Sequence, residues 1–118
     1  MVDIYTAQYR YSGEDRLDIT VKSAIAPGDI LAPTWDMVKD VQCQKLNEWN
    51  YTIKYYSLII SRIMTLSEDS RLKLDMIISR PSVTLVCFCP AYTFCHRVLA
   101  ARMLEELGAG RYHGERLF

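Results

Sequence analysis

The residues Val83-Thr84-Leu85-Val86-Cys87-Phe88 form an almost wholly apolar, β-branched run, with Pro90 close behind. A strand with one wet face would alternate, so this run predicts a central strand covered on both faces. Helical patterns flank it. Between Asn47 and Leu66 the apolar residues Trp49, Ile53, Tyr56, Ile60 and Ile63 recur at steps of three and four, with Asn47 as N-cap. Ser67 reads as the cap of a second helix, with Glu68 and Asp69 in its first turn and Leu72, Met76 and Ile77 facing inward. After the apolar run, Thr93 is placed to cap a helix whose face Cys95, Leu99, Met103 and Leu107 ends at Gly108.

The chain opens on a strand, with Val2, Ile4 and Thr6 alternating against Asp3 and Tyr5. Leu17, Ile19 and Val21 alternate with Asp18, Thr20 and Lys22, which predicts a half-buried hairpin or edge strand after the turn at Tyr11–Asp15. Ala24–Pro33 carries Pro27, Gly28 and Pro33 and reads as a loop able to reach a site; Thr34 is placed to cap a short helix behind it. Tyr112 begins a short last strand. Strands near both ends with helices between them give a small three-layer α/β domain with a mostly parallel sheet.

At 118 residues the expectation is one domain, 1–118. Fourteen basic and fourteen acidic residues balance, which removes the electrostatic case for a dedicated nucleic-acid or anionic-membrane binder. No apolar stretch approaches the ~20 residues of a membrane span, and Met1–Tyr9 lacks a basic segment followed by an apolar one. The expected location is cytoplasmic, where a compact thiol cluster is metal-binding, reactive or buried rather than a disulfide framework.

That cluster carries the chemistry. Cys87, Cys89, Cys95, His96 and Arg97 lie where the central strand hands over to a helix, the edge at which α/β folds bind ligands. With Thr93 as cap, Cys95 and His96 occupy the first helical turn, where the helix dipole and Arg97 lower a thiol pKa. Cys95 is the candidate nucleophile or thiolate ligand, His96 its acid/base partner and Arg97 an anion clamp. The bland alternatives stay open: Cys87 as a small buried hydrophobe, Cys95 as a packing residue beside Leu99, His96 as a backbone-bonded histidine. Zinc on Cys87, Cys89, Cys95 and His96 is a further alternative; against it, the adjacent Cys95 and His96 would have to converge on one ion.

The run Val83–Pro90, then Phe94-Cys95-His96-Arg97 with Leu99, then Leu107-Gly108 and Tyr112-x-Gly114-Glu115-Arg116, resembles the domain-of-unknown-function 488 family. Upstream, Arg10–Gly13, Arg16–Ser23 and Leu31–Val38 are similar to its short phage and bacterial members. The resemblance implies a Rossmann-like fold and no settled activity. Bringing the matched segments together adds Arg10, Ser12, Asp18, Lys22 and Ser23 to Cys89 and the Cys-His-Arg string, with Trp35 and Glu115 as outer candidates. Such a set could hold phosphate on Arg10, Lys22 and hydroxyls and stack a base or sugar on Trp35 or Tyr11. Alternation alone also explains Asp18, Thr20 and Lys22 as a solvated strand.

Three functions fit. The first is a thiol-dependent enzyme acting on an anionic, nucleotide-like small molecule. The second is a non-catalytic module that binds the same ligand without turnover. The third is a structural or zinc-binding protein with core cysteines, whose Asn47–Leu66 helix serves assembly as a homo-oligomer.

Overall fold

A computed structural model describes residues 1–42, 47–64, 68–89 and 95–117. Four strands, β1 (Val2–Gln8), β2 (Arg16–Asp18), β3 (Ser82–Cys87) and β4 (Gly110–Glu115), form one sheet in the order β2-β3-β1-β4. Every pairing is parallel, with Ile4 opposite Val83 and Leu17 opposite Leu85. Among the described residues the α-helices are α1 (Trp35–Gln42), α2 (Glu48–Met64), α3 (Glu68–Ile78) and α4 (His96–Glu106), and a 3-10 turn at Gly28–Leu31 interrupts the segment expected as a loop. This arrangement is consistent with the small three-layer α/β domain that the sequence predicts.

Strand β3 is inner, and Val83 through Cys87 are all buried, as an unbroken apolar run requires. Helix α4 packs on β1, β3 and β4, and α2 packs on α4 and α3. Val2, Ile4, Val83 and Leu85 meet Ala100, Met103 and Leu104 in one core. Gly108, at φ 76°, closes α4 through its N–H to the Glu105 carbonyl.

The edge position expected for Leu17–Val21 is found, but not a hairpin, because β2 runs parallel to β3. The strand is also shorter than the alternation suggests. Asp18 Oδ1 accepts both the N–H and the hydroxyl of Thr20, at 2.8 and 2.7 Å, and this local turn ends the ladder. Thr34 caps α1 through the Met37 N–H, and Asn47 caps α2 through the Asn50 N–H. The expected caps Ser67 and Thr93, the strand-stopping Pro90 and the lone Cys43 lie outside the described residues.

The inward face of α2 differs from the expected one. Trp49 is 73% exposed, Ile53 and Ile60 are about half exposed, Tyr56 and Ile63 are partly buried against the core, and the buried seam is Tyr51, Tyr55 and Ile59. Apolar residues occupy both sides of this helix, so periodicity has two solutions. Burial selects the tyrosine side because Tyr55 donates its hydroxyl to the Leu31 carbonyl at 2.6 Å and Tyr51 stacks beside it. On α3, likewise, Leu72 and Met76 are exposed and only Ile77 of the expected three is buried. Leu107 of the α4 face is also exposed, beyond the end of the helix.

The Ala24–Pro33 segment is held down from both sides. A Cβ at Gly28 would run into the Asp18 carbonyl oxygen. The Arg62 guanidinium of α2 donates to the carbonyls of Asp29, Ile30 and Ala32. These contacts bring Pro33 and Trp35 to the C-terminal edge of the sheet, above the end of β3. Among the described residues, no helix is long and apolar enough to cross a membrane.

Candidate functional site

Cys87 and Cys89 stand two residues apart at the end of β3, where alternation sends both side chains to the face shared with Val83 and Leu85. Cys95 meets them from α4. It is the N-cap, with extended backbone at φ −158° and ψ 151°, so α4 begins at His96 and Cys95 is not in the first turn. The three sulfurs lie within 4.8 Å of one another. Cys87 Sγ and Cys95 Sγ are in direct contact, yet their Cα atoms are 8.0 Å apart, beyond the ~4.4–6.8 Å that a disulfide normally spans. Against the expectation that sets disulfides aside, the structure pairs the Cys87 and Cys95 sulfurs, and Cys89 is the free cysteine of the cluster.

The cap geometry also decides how Cys95 relates to its neighbour. Adjacent side chains diverge within a helix, but Cys95 is not yet helical, and its Sγ lies 3.7 Å from His96 Nδ1. The other ring nitrogen, Nε2, is 2.8 Å from the Ile19 carbonyl. A carbonyl only accepts, so Nε2 carries the proton and the Nδ1 lone pair faces the thiol. Burial lowers the His96 pKa to about 4; the Ile19 carbonyl opposes this and the Arg97 charge adds to it. The imidazole is therefore neutral near pH 7.

Arg97, expected as an anion clamp, is not among the residues lining the opening beside the sulfurs. It is 1% exposed, pairs with Glu115 through Nη2 at 2.6 Å and Nε at 3.2 Å, and donates Nη1 to both Cys87 Sγ and the Cys89 carbonyl at 2.9 Å. It supports the cluster from behind, and Glu115, expected at the rim, is the counter-ion that holds it there. Cys87, read as a buried hydrophobe or a zinc ligand, is buried and accepts a hydrogen bond from Arg97. Cys89 is partly exposed; burial raises its pKa and Arg97 partly offsets this.

In front of the sulfurs is a cleft of about 290 Å³. Of the residues expected in the site, Lys22, Trp35, Cys89, Cys95 and His96 line it. Lys22 Nζ lies 6.0 Å from the centre of the Phe88 ring, which itself stacks on Tyr9 at 4.2 Å. Arg10, Ser12, Asp18 and Ser23 are not among the lining residues. Arg10 and Ser12 are exposed in the turn after β1. Ser23 donates to Asp18, whose carboxyl is also bound by Thr20; burial works to raise the Asp18 pKa, but these donors and Arg16 hold it below the usual range. Tyr11, which does not line the cleft, donates its hydroxyl to Asp15 at 2.7 Å, and the Arg116 guanidinium lies 5.9 Å from its ring centre.

Sequence reasoning overlooked Tyr51, Phe88, Pro33, Val38, Val21 and Thr20 as cleft walls. A second apolar seam through Tyr51, Tyr55 and Ile59 was present in the pattern of α2 and would have indicated the first of these. Burial pushes the Tyr51 hydroxyl pKa up, so this wall stays uncharged. Cys95 also borders a groove of about 820 Å³ between α2, α4 and β4.

The family model described as the active DUF488-N3 subclade matches residues 4–108. The chain belongs to the DUF488 family. Within this DUF488 domain the matched span contains Cys87, Cys89, Cys95, His96 and Arg97 and stops before Glu115. The buried counter-ion of Arg97 thus comes from outside the matched span. No curated protein and no solved structure shows significant similarity to the chain.

Proposed function

We propose that this DUF488 domain is a thiol-dependent enzyme whose cleft takes a small, anionic, nucleotide-like molecule. The observation that carries the reading is the pairing of Cys95 Sγ with the unprotonated Nδ1 of a neutral, buried His96. A nucleophile beside a base that is itself oriented by a third group, here the Ile19 carbonyl, is the arrangement that activates a thiol. The resting pair is neutral, since burial penalises the imidazolium. Proton transfer from Sγ to Nδ1 accompanies attack by the sulfur on an electrophilic centre of the ligand. The bond from that centre to its leaving group breaks, the leaving group takes the electron pair and then the proton from Nδ1, and the N-terminal end of α4 favours the negative charge that develops. Trp35, Tyr51 and Phe88 offer ring surfaces for a base or sugar, and Lys22 supplies the positive charge at the rim. The matched subclade is described as active, which agrees with a catalytic role.

The test is iodoacetamide labelling of the reduced, chelator-treated native protein, with the labelled residue mapped by peptide mass spectrometry. Cys95 is expected to label in the folded state, more slowly in the presence of a bound nucleotide, and His96→Gln is expected to slow it further. A Cys95 silent until denaturant is added would sink this reading.

A further inference from the structure

We propose that Cys87, Cys89, Cys95 and His96 form a binding site for one soft divalent cation, zinc by its chemistry, and that occupancy withdraws Cys95 from reaction. The metal site stands on its own geometry; only its consequence for Cys95 rests on the proposed thiol activity.

Four observations support the site. Three sulfurs from two different elements converge to within 4.8 Å; the Cys87 and Cys95 sulfurs are in contact and must part to admit an ion, and the Cα separation of 8.0 Å, wider than a disulfide normally spans, suits that reduced arrangement. With metal–sulfur bonds of ~2.3 Å and metal–nitrogen bonds of ~2.0–2.1 Å, a tetrahedral centre needs a sulfur–nitrogen edge of about 3.6 Å. Cys95 Sγ and His96 Nδ1 are 3.7 Å apart. The adjacency of these two residues argued against convergence only while both were taken as helical; the extended cap at Cys95 removes that objection.

The surroundings are those of a metal-bound histidine and thiolate. A ligating imidazole generally donates its other N–H to a carbonyl or carboxylate, which fixes the tautomer, and His96 Nε2 does so to Ile19 at 2.8 Å. A donor on a thiolate tempers its charge, and Arg97 Nη1 stands 2.9 Å from Cys87 Sγ. Binding releases the three thiol protons to solvent, and no electron changes hands. The same lone pair on Nδ1 and the same Sγ serve the metal and the reaction, so the two uses exclude each other. Metal would hold the enzyme idle, and its removal would release the nucleophile.

The experiment uses the full chain purified under reductant. Metal-free protein is titrated with Zn²⁺ against a chromophoric chelator, and with Co²⁺ while its absorption is recorded. The expected results are about one equivalent bound, thiolate-to-cobalt charge transfer with tetrahedral ligand-field bands, and protection of Cys95 from iodoacetamide that a chelator reverses. Cys89→Ser, at a partly exposed position the fold should tolerate, is expected to weaken zinc binding by at least about tenfold, while Lys22→Ala leaves it unchanged. Circular dichroism of Cys89→Ser separates lost ligation from lost folding. Absence of stoichiometric binding, an octahedral cobalt spectrum without thiolate bands, an intact mass showing a Cys87–Cys95 disulfide under reductant, or unchanged affinity in folded Cys89→Ser would each overturn the site. Failure of the two readings is distinguishable. Cys95 that labels in a protein without metal affinity leaves the thiol activity alone, and metal binding with a metal-free Cys95 that stays silent leaves the metal site alone.

Discussion

His96 Nε2 lies 2.8 Å from the carbonyl oxygen of Ile19, the residue immediately beyond the edge strand β2. This bond joins the first turn of α4 to the far side of β3, and it leaves Nδ1 without a proton, facing Cys95. Because burial lowers the His96 pKa to about 4 from the 6.5 of a free histidine, the folded state binds fewer protons here than the unfolded chain. The stability contributed by the neutral ring is fully present above pH 6.5 and is lost as pH falls towards 4. For the metal-free, reduced protein the expected loss is about 3 kcal/mol across that window. Urea unfolding at a series of pH values measures it, and His96→Gln should flatten the dependence; an equal slope in both proteins would rule out His96 as its source.

The ion pair behind the sulfurs predicts a large stability change at a site remote from any opening. Arg97 is 1% exposed and the Glu115 side chain 6% exposed. Removing one member of a buried ion pair costs ~3–5 kcal/mol. Glu115→Ala is expected to reach that range in chemical denaturation. Arg97→Lys should not restore stability, because one ammonium cannot replace the paired bonds to Glu115 together with those to Cys87 and Cys89. A near-neutral Glu115→Ala would mean that the pair is hydrated in solution.

The two sides of α2 should respond differently to substitution. Tyr55→Phe removes a buried hydroxyl and leaves the Leu31 carbonyl short of a partner, for an expected ~1–1.5 kcal/mol. Trp49→Ala, on the 73% exposed side, should stay within about 0.5 kcal/mol. Thermal or urea unfolding of the two variants decides which seam faces the core, and the opposite order would restore the face read from spacing alone.

Lys22 is the one basic residue lining the cleft among the described residues. If the ligand is anionic, Lys22→Ala should weaken its binding by about tenfold, the scale of a lost charge-assisted bond, and rising salt should erase the difference. Titration with nucleoside mono- and diphosphates against the uncharged nucleosides measures this. Equal affinity of charged and uncharged forms would remove the anionic part of the proposal.

The α/β class, the inner position of Val83–Cys87 and the location of the thiol cluster at a strand-to-helix edge were all legible in the sequence. Each follows from local rules: an unbroken β-branched run, helical spacing and the positions of Gly and Pro. The parallel partner of Leu17 was not, because alternation shows that a strand is half buried but not whether it pairs with its neighbour in sequence or with β3. The face of α2 was ambiguous for a similar reason, since two apolar seams met the same spacing and only the distant Leu31 carbonyl favoured one.

Sequence alone determined the residue types of the site and their nearness along the chain: three thiols, an imidazole and a guanidinium within eleven residues, Cys87–Arg97. The tertiary structure decided what each one does. Ile19 selects the His96 tautomer, Glu115 pairs with the buried Arg97, and the extended cap at Cys95 brings sulfur to nitrogen. These three decisions depend on contacts 77 residues apart, 18 residues apart and between neighbours whose backbones differ. Spacing along the chain carries the direction of a side chain only inside a regular element, and the cluster sits where one element ends and the next begins.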